Sequence, residues 1–128
     1  MISYRQADLL DTLKRSQPTK MLVKFRFEDH KLQLTNITPE DNSYNDEFIE
    51  KRDALEEIVH RATMVMGFYK ESLTDAWTYN TNIGNQLSTV MEVRRRLESC
   101  GDPRIVSVRD SIAENINKDR FVIEVMIR

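Results

Sequence analysis

Asp102, Pro103 and Arg104 place a carboxylate and a guanidinium on either side of a residue whose own φ is locked and which pushes its predecessor out of helical backbone. Charges held this way can pair with each other or reach across to a partner's charges, and the planar Arg fork favours bidentate contacts. Both readings stand at the level of sequence: a local salt bridge at a helix-to-strand corner, or a grip on another chain. Trp77, the single tryptophan, reads as a large core or interface aromatic rather than a ligand platform, since its indole N–H needs only one acceptor. Cys100 is the sole cysteine, so no intrachain disulfide can form, and it reads as an inert packing residue. With only His30 and His60 beside it, no cluster has zinc-site spacing.

Reactive constellations are missing. There is no G-x-S-x-G elbow and no supported order of Ser, His and acid for acyl transfer. G-x-G-x-x-G and Walker signatures are absent, so no backbone cradle for a nucleotide phosphate is expected. The 21 carboxylates guarantee some pair at glycosidase separation in any fold and therefore say nothing about sugar hydrolysis. The expectation is no enzyme and no cofactor.

These residues need a scaffold to position them. Ser3 and Gln6 have capping-box spacing for a short helix over Tyr4–Arg15, with Leu9, Leu10 and Leu13 on one stripe that either packs on the domain's own core or docks a partner. Pro18 ends it. Met21, Val23, Phe25 and Phe27 alternate with Leu22, Lys24, Arg26 and Glu28, the period of a half-buried strand. Asp29 and His30 then make a tight connection to a return strand carrying Leu32 and Leu34. Thr38–Ser43 is a loop of turn formers and acids.

The strongest helix spans Asp46–Met66, with Phe48, Leu55, Ile58, Val59, Ala62, Val65 and Met66 apolar, Gly67 as its stop, and Glu50, Lys51, Arg52, Asp53, Glu56 and Glu57 on a solvated face. Residues 68–88 show no period and read as an irregular connection pinned by aromatics. Thr89 and Glu92 cap a helix through Ser99, ended by Gly101. Its Arg94, Arg95 and Arg96 point three ways, which favours a salt-bridging surface over a nucleic-acid patch. Ile105–Asp110 and Phe121–Arg128 alternate again as two closing strands, with Ile112, Glu114 and Ile116 as an extension of the first and Asn117–Asp119 as the turn.

The expected fold class is α+β: residues 1–128 form one domain, in which a small, mostly antiparallel sheet packs against a long amphipathic helix, with two shorter helices. In this division 1–18 is a possible docking arm and 21–128 the α+β core. A chain of 128 residues can build one core without disulfides. Three Gly and three Pro mark no linker. Nineteen basic against 21 acidic side chains disfavour a phosphate-backbone partner. No apolar run has the length of a membrane span, and residues 1–17 are too polar for a secretory signal, so cytosol-like solvent is expected. A terminal apolar strand either sits inside a sheet or leaves its backbone groups unpaired.

Three features in order resemble the baseplate wedge, or sheath-initiator, family of contractile phage tails, related to the small lysozyme-like baseplate component of type VI secretion systems. Trp77-Thr78-Tyr79-Asn80-Thr81-Asn82-Ile83-Gly84 is similar to the family's Trp, an apolar or aromatic residue two further on, Asp or Asn, and Gly at the eighth place. Asp102-Pro103-Arg104-Ile105 is similar to its Glu-Pro-Arg-apolar run between a helix and the penultimate strand. The strand, turn and final strand at the chain end complete the likeness, which covers about residues 48–128.

The resemblance implies a structural virion subunit in the tail baseplate, assembled in the host cytoplasm and present in multiple copies in a ring. Its implied partners are the other baseplate wedge subunits and the tail sheath protein, with the tail tube as a further candidate, and neither nucleic acid nor membrane. Asp102, Pro103 and Arg104 would then grip the wedge, with Trp77 at an interface. The final strand and its hairpin mate would accept strands from sheath subunits. Backbone hydrogen bonds give such addition its affinity, and the Phe121, Ile123, Val125, Ile127 face gives it register. The competing expectation is a small adaptor or regulatory module that binds one protein and has no connection with tails.

Overall fold

The computed structural model describes residues 17–41, 45–110 and 119–128. They form β1 (Thr19–Glu28), β2 (Lys31–Pro39), α1 (Asp46–Met64), β3 (Tyr69–Lys70), β4 (Trp77–Asn80), α2 (Gln86–Glu98), β5 (Ile105–Asp110) and β6 (Arg120–Ile127). All six strands join one antiparallel sheet in the order β3-β4-β2-β1-β6-β5. This corrects the expected fold class. The sheet is the dominant element rather than a small layer on one long helix, and α1 and α2 share one of its faces. The expected Tyr4–Arg15 helix and the Ile112–Ile116 strand extension lie outside the described residues.

Local chemistry accounts for most boundaries. Asp29 and His30 have φ of 52° and 62°, so the two-residue β1–β2 turn has the left-handed backbone of a type I′ hairpin, a conformation Asp and His tolerate better than most. β2 runs through Thr38 to Pro39, where a loop was expected, because it stays paired with β1 as far as Met21. Asn45 caps α1: its side-chain oxygen accepts from Phe48 N at 3.0 Å, and Asp46 and Glu47 occupy the first turn, where the helix dipole favours acids. The helix ends at Met64, and Gly67 follows at φ 110°, close enough to the Tyr79 ring that an added Cβ would sit 3.4 Å from it.

α2 starts one turn before the expected Thr89. Asn85 is its N-cap, and the Thr89 hydroxyl donates back to Asn85 O at 2.8 Å, so this threonine is satisfied inside the helix. The stretch read as irregular contains β3 and β4, which at two and four residues are too short to show a period.

Strand alternation sends Met21, Val23 and Phe25 of β1, Leu32 and Ile37 of β2, and Phe121, Ile123, Val125 and Ile127 of β6 to one face. There they meet Leu55, Ile58 and Val59 of α1 and Val90, Val93 and Leu97 of α2. Burial of such side chains stabilises by roughly 1.5–3 kcal/mol each before entropy is counted. The register agrees: Met21 faces Val125, Val23 faces Ile123 and Phe25 faces Phe121 across β1 and β6.

Candidate functional site

The Asp102–Arg104 corner is closed on itself. Asp102 Oδ1 accepts from Arg104 N at 2.9 Å and from Arg104 Nε at 3.0 Å, while its Oδ2 accepts from the Arg104 terminal nitrogen at 2.7 Å. Hydrogen bonds from the Arg104 side chain, aided by its backbone N–H, hold the Asp102 carboxyl down at about 2, and the carboxylate in turn raises the guanidinium. Pro103 permits the closure by keeping the two flanking side chains on one turn, after Gly101 has left the helix at φ 76°. Arg104 O also accepts from Arg128 N at 2.9 Å, which ties the corner to the last residue. The local pair is therefore the arrangement made, with the Arg104 side chain still 43% exposed. Beside it a groove of about 400 Å³ runs between α1 and α2, with Arg61, Arg96 and Cys100 on its walls. Cys100 is exposed, contrary to its reading as a packing residue.

Trp77 lies on β4, opposite Leu34 of β2. Its Nε1 donates to Thr63 Oγ1 at 2.6 Å, its ring stacks on His60 with centroids 4.5 Å apart, and Phe68 and Tyr79 continue the aromatic cluster. The indole thus has its one acceptor within the chain. Thr63 and His60 were not legible as its partners, because nothing in a helical stripe announces which residue will meet a strand 14 positions later.

The four aliphatic and aromatic positions of the last strand stand differently from the expectation. β6 is an interior strand, paired with β1 along Thr19–Arg26 and with β5 on its other side. Phe121 is 5% exposed and Ile123, Val125 and Ile127 are fully buried against the chain's own helices. They are core residues and cannot serve as a partner's docking face. The strand that ends the sheet is its hairpin mate β5, whose second edge pairs with no strand among the described residues.

Apolar side chains are exposed on β5 and on the flank of α2 that reaches its end. Arg94 of α2 reaches Asp110 at the end of β5, 3.2 Å away, and Leu87 and Met91 occupy the same flank of the helix at i−7 and i−3. They are 52% and 40% exposed, and Val106 on β5 is 44% exposed. Arg95 and Arg96 both turn to Glu92 while Arg94 turns to Asp110, so the three arginines do not point three separate ways, though each is met by a carboxylate.

Lys51 departs from its reading as a solvated residue. It is 6% exposed and donates to Gln17 O at 2.9 Å and Thr19 Oγ1 at 2.7 Å, with Glu47 at 3.2 Å, so it clamps α1 to the start of β1. Among the described residues no group of His, Cys, Asp and Glu is arranged to hold a metal, and no helix is long and apolar enough to cross a membrane. No family model, no curated protein and no solved structure matches this chain.

Proposed function

We propose that this chain is a structural subunit of a contractile-tail baseplate that joins the wedge to the sheath and initiates sheath assembly by accepting a strand. The resemblance of the Trp77–Gly84 and Asp102–Ile105 runs supports the class of protein. The observation that carries the mechanism is the position of β5: it is an end strand of the sheet, unpaired on one side among the described residues, with Val106 exposed on it and Met91 and Leu87 exposed on the α2 flank whose Arg94 reaches its end. An incoming strand would bond to the β5 backbone and lay alternate side chains on that apolar shelf. The acceptor is thus β5 rather than the terminal strand, and β6 serves as the rigid interior support that holds β5 in register.

The Asp102–Arg104 corner contributes its exposed guanidinium edge to the wedge contact. Because the carboxylate already preorganises the guanidinium, a partner acid would meet a donor fork fixed in direction. A reaction plays no part in this role.

The test asks first whether sheath and wedge proteins are encoded beside this chain, and then co-expresses them with it. Val106→Lys with Leu87→Asp alters exposed positions only, and it is expected to abolish sheath polymerisation while wedge subunits still co-purify. Arg104→Glu is expected to reduce wedge recovery with sheath nucleation judged separately. Normal sheath growth on the first variant, or a chromosomal neighbourhood without sheath, tube and wedge genes, would overturn the reading.

A further inference from the structure

A second interrupted edge lies near the opposite side of the sheet. β4 pairs with β2 only from Lys31 to Leu34, while β2 continues to Pro39. The chain before Trp77 leaves that line for the β3–β4 hairpin, where Glu71 N donates to Ala76 O and Asp75 takes φ 62°. Beside the stretch of β2 that β4 leaves open lies a groove of about 570 Å³, lined on β2 by residues 33–37 and within the roughly 300–1,000 Å³ of ordinary ligand clefts. Arg52, Glu56 and His60 of α1 line it together with residues 74–77, whose Asp75 already pairs with Lys70 at 3.2 Å. Five residues of strand span roughly 16 Å, and Pro39, which has no N–H, limits how far pairing can run.

Charge selects the occupant. Glu56 and Trp77 also line an adjoining cleft with Asp53 and Glu57, so carboxylates outnumber cations around the indole. The arginines nearby are already engaged, Arg52 with Asp53 at 3.6 Å and Arg61 with Glu57 at 3.7 Å. Among the described residues Glu56 has one basic neighbour, His60 at 4.0 Å, which carries a charge only when protonated. His60 stacks on the Trp77 ring, so it is the Glu56 carboxylate that favours an ammonium or guanidinium group, and a partner's acid would be repelled there.

We infer that this groove accepts an extended segment of another polypeptide, which adds a strand to Thr35–Pro39 and sets a Lys or Arg side chain against Glu56, at the rim of the Trp77–His60 stack. The site is separate from β5 and requires no tail assembly. Two open edges would let one copy hold two chains at once.

The test uses a displayed library of random decapeptides selected on the full chain, with enriched peptides then synthesised and titrated while the emission of Trp77, the only tryptophan, is followed. Expected are peptides with a basic residue inside an alternating apolar stretch that shift the emission. Their affinity should fall at least about tenfold with Glu56→Lys, or when alternate peptide nitrogens are methylated, and should be unchanged by Val106→Lys. Enriched peptides without a basic residue, peptides that leave Trp77 emission unmoved or respond to Val106→Lys instead, or no binding below about 1 mM would each overturn the inference.

Discussion

The indole N–H of Trp77 on β4 donates to the hydroxyl of Thr63 on α1 at 2.6 Å, and that hydroxyl donates onward to Val59 O at 2.7 Å. One side chain thereby links the outer part of the sheet to the helix above it. Thr63→Val keeps the shape and leaves the N–H without an acceptor. It is expected to cost about 1–3 kcal/mol in urea unfolding and to change the tryptophan emission of the folded protein. An unchanged midpoint and spectrum would show the bond to be dispensable.

The Asp102 carboxyl is held at about 2 in the folded chain, against an ordinary 3.8. A lowered folded value means the contribution is complete above pH 4 and disappears as pH falls through 2. Allowing for solvent around Arg104, Asp102→Asn should cost on the order of 1–2 kcal/mol at pH 7. The difference between variant and wild type should shrink toward zero between pH 4 and pH 2. Stability curves in that window that stay parallel would contradict the local pair.

Lys51 is a buried cation held by two neutral oxygens and one carboxylate. Lys51→Met preserves the packing of the stem and removes every donor. We expect a loss of about 1–2 kcal/mol and faster amide exchange in the first residues of β1, with the β5–β6 hairpin unaffected. Uniformly faster exchange would instead indicate a global role.

Leu97 of α2 is fully buried beneath the sheet's helical cover. Leu97→Ala should destabilise by about 2–5 kcal/mol, whereas Met91→Ala on the exposed flank should stay within about 0.5 kcal/mol in the isolated chain. Comparable costs for both would mean that Met91 is covered.

The strands with long alternating runs were readable in advance. β1, the first half of β2, β5 and β6 carry a two-residue period over six or more positions or a turn dipeptide, and α1 carries a helical stripe, so local chemistry alone specifies them. β3 and β4 were not readable, being shorter than any period, and Lys51 was misplaced because a helical wheel assigns faces without knowing which loop will cross them. For the candidate site, the sequence singled out Asp102 and Arg104 but left open whom they pair with.

What the sequence by itself determined is the set of segments and their apolar faces, because side-chain direction repeats every two residues in a strand and every 3.6 in a helix. Only the tertiary structure decided that β6 lies between β1 and β5, that Phe121, Ile123, Val125 and Ile127 are spent on the chain's own core, and that β5 and the end of β2 each lack a strand on one side among the described residues. Strand order is settled by which long-range pairings bury the most surface together. A backbone edge carries no side-chain signature of whether another strand will occupy it.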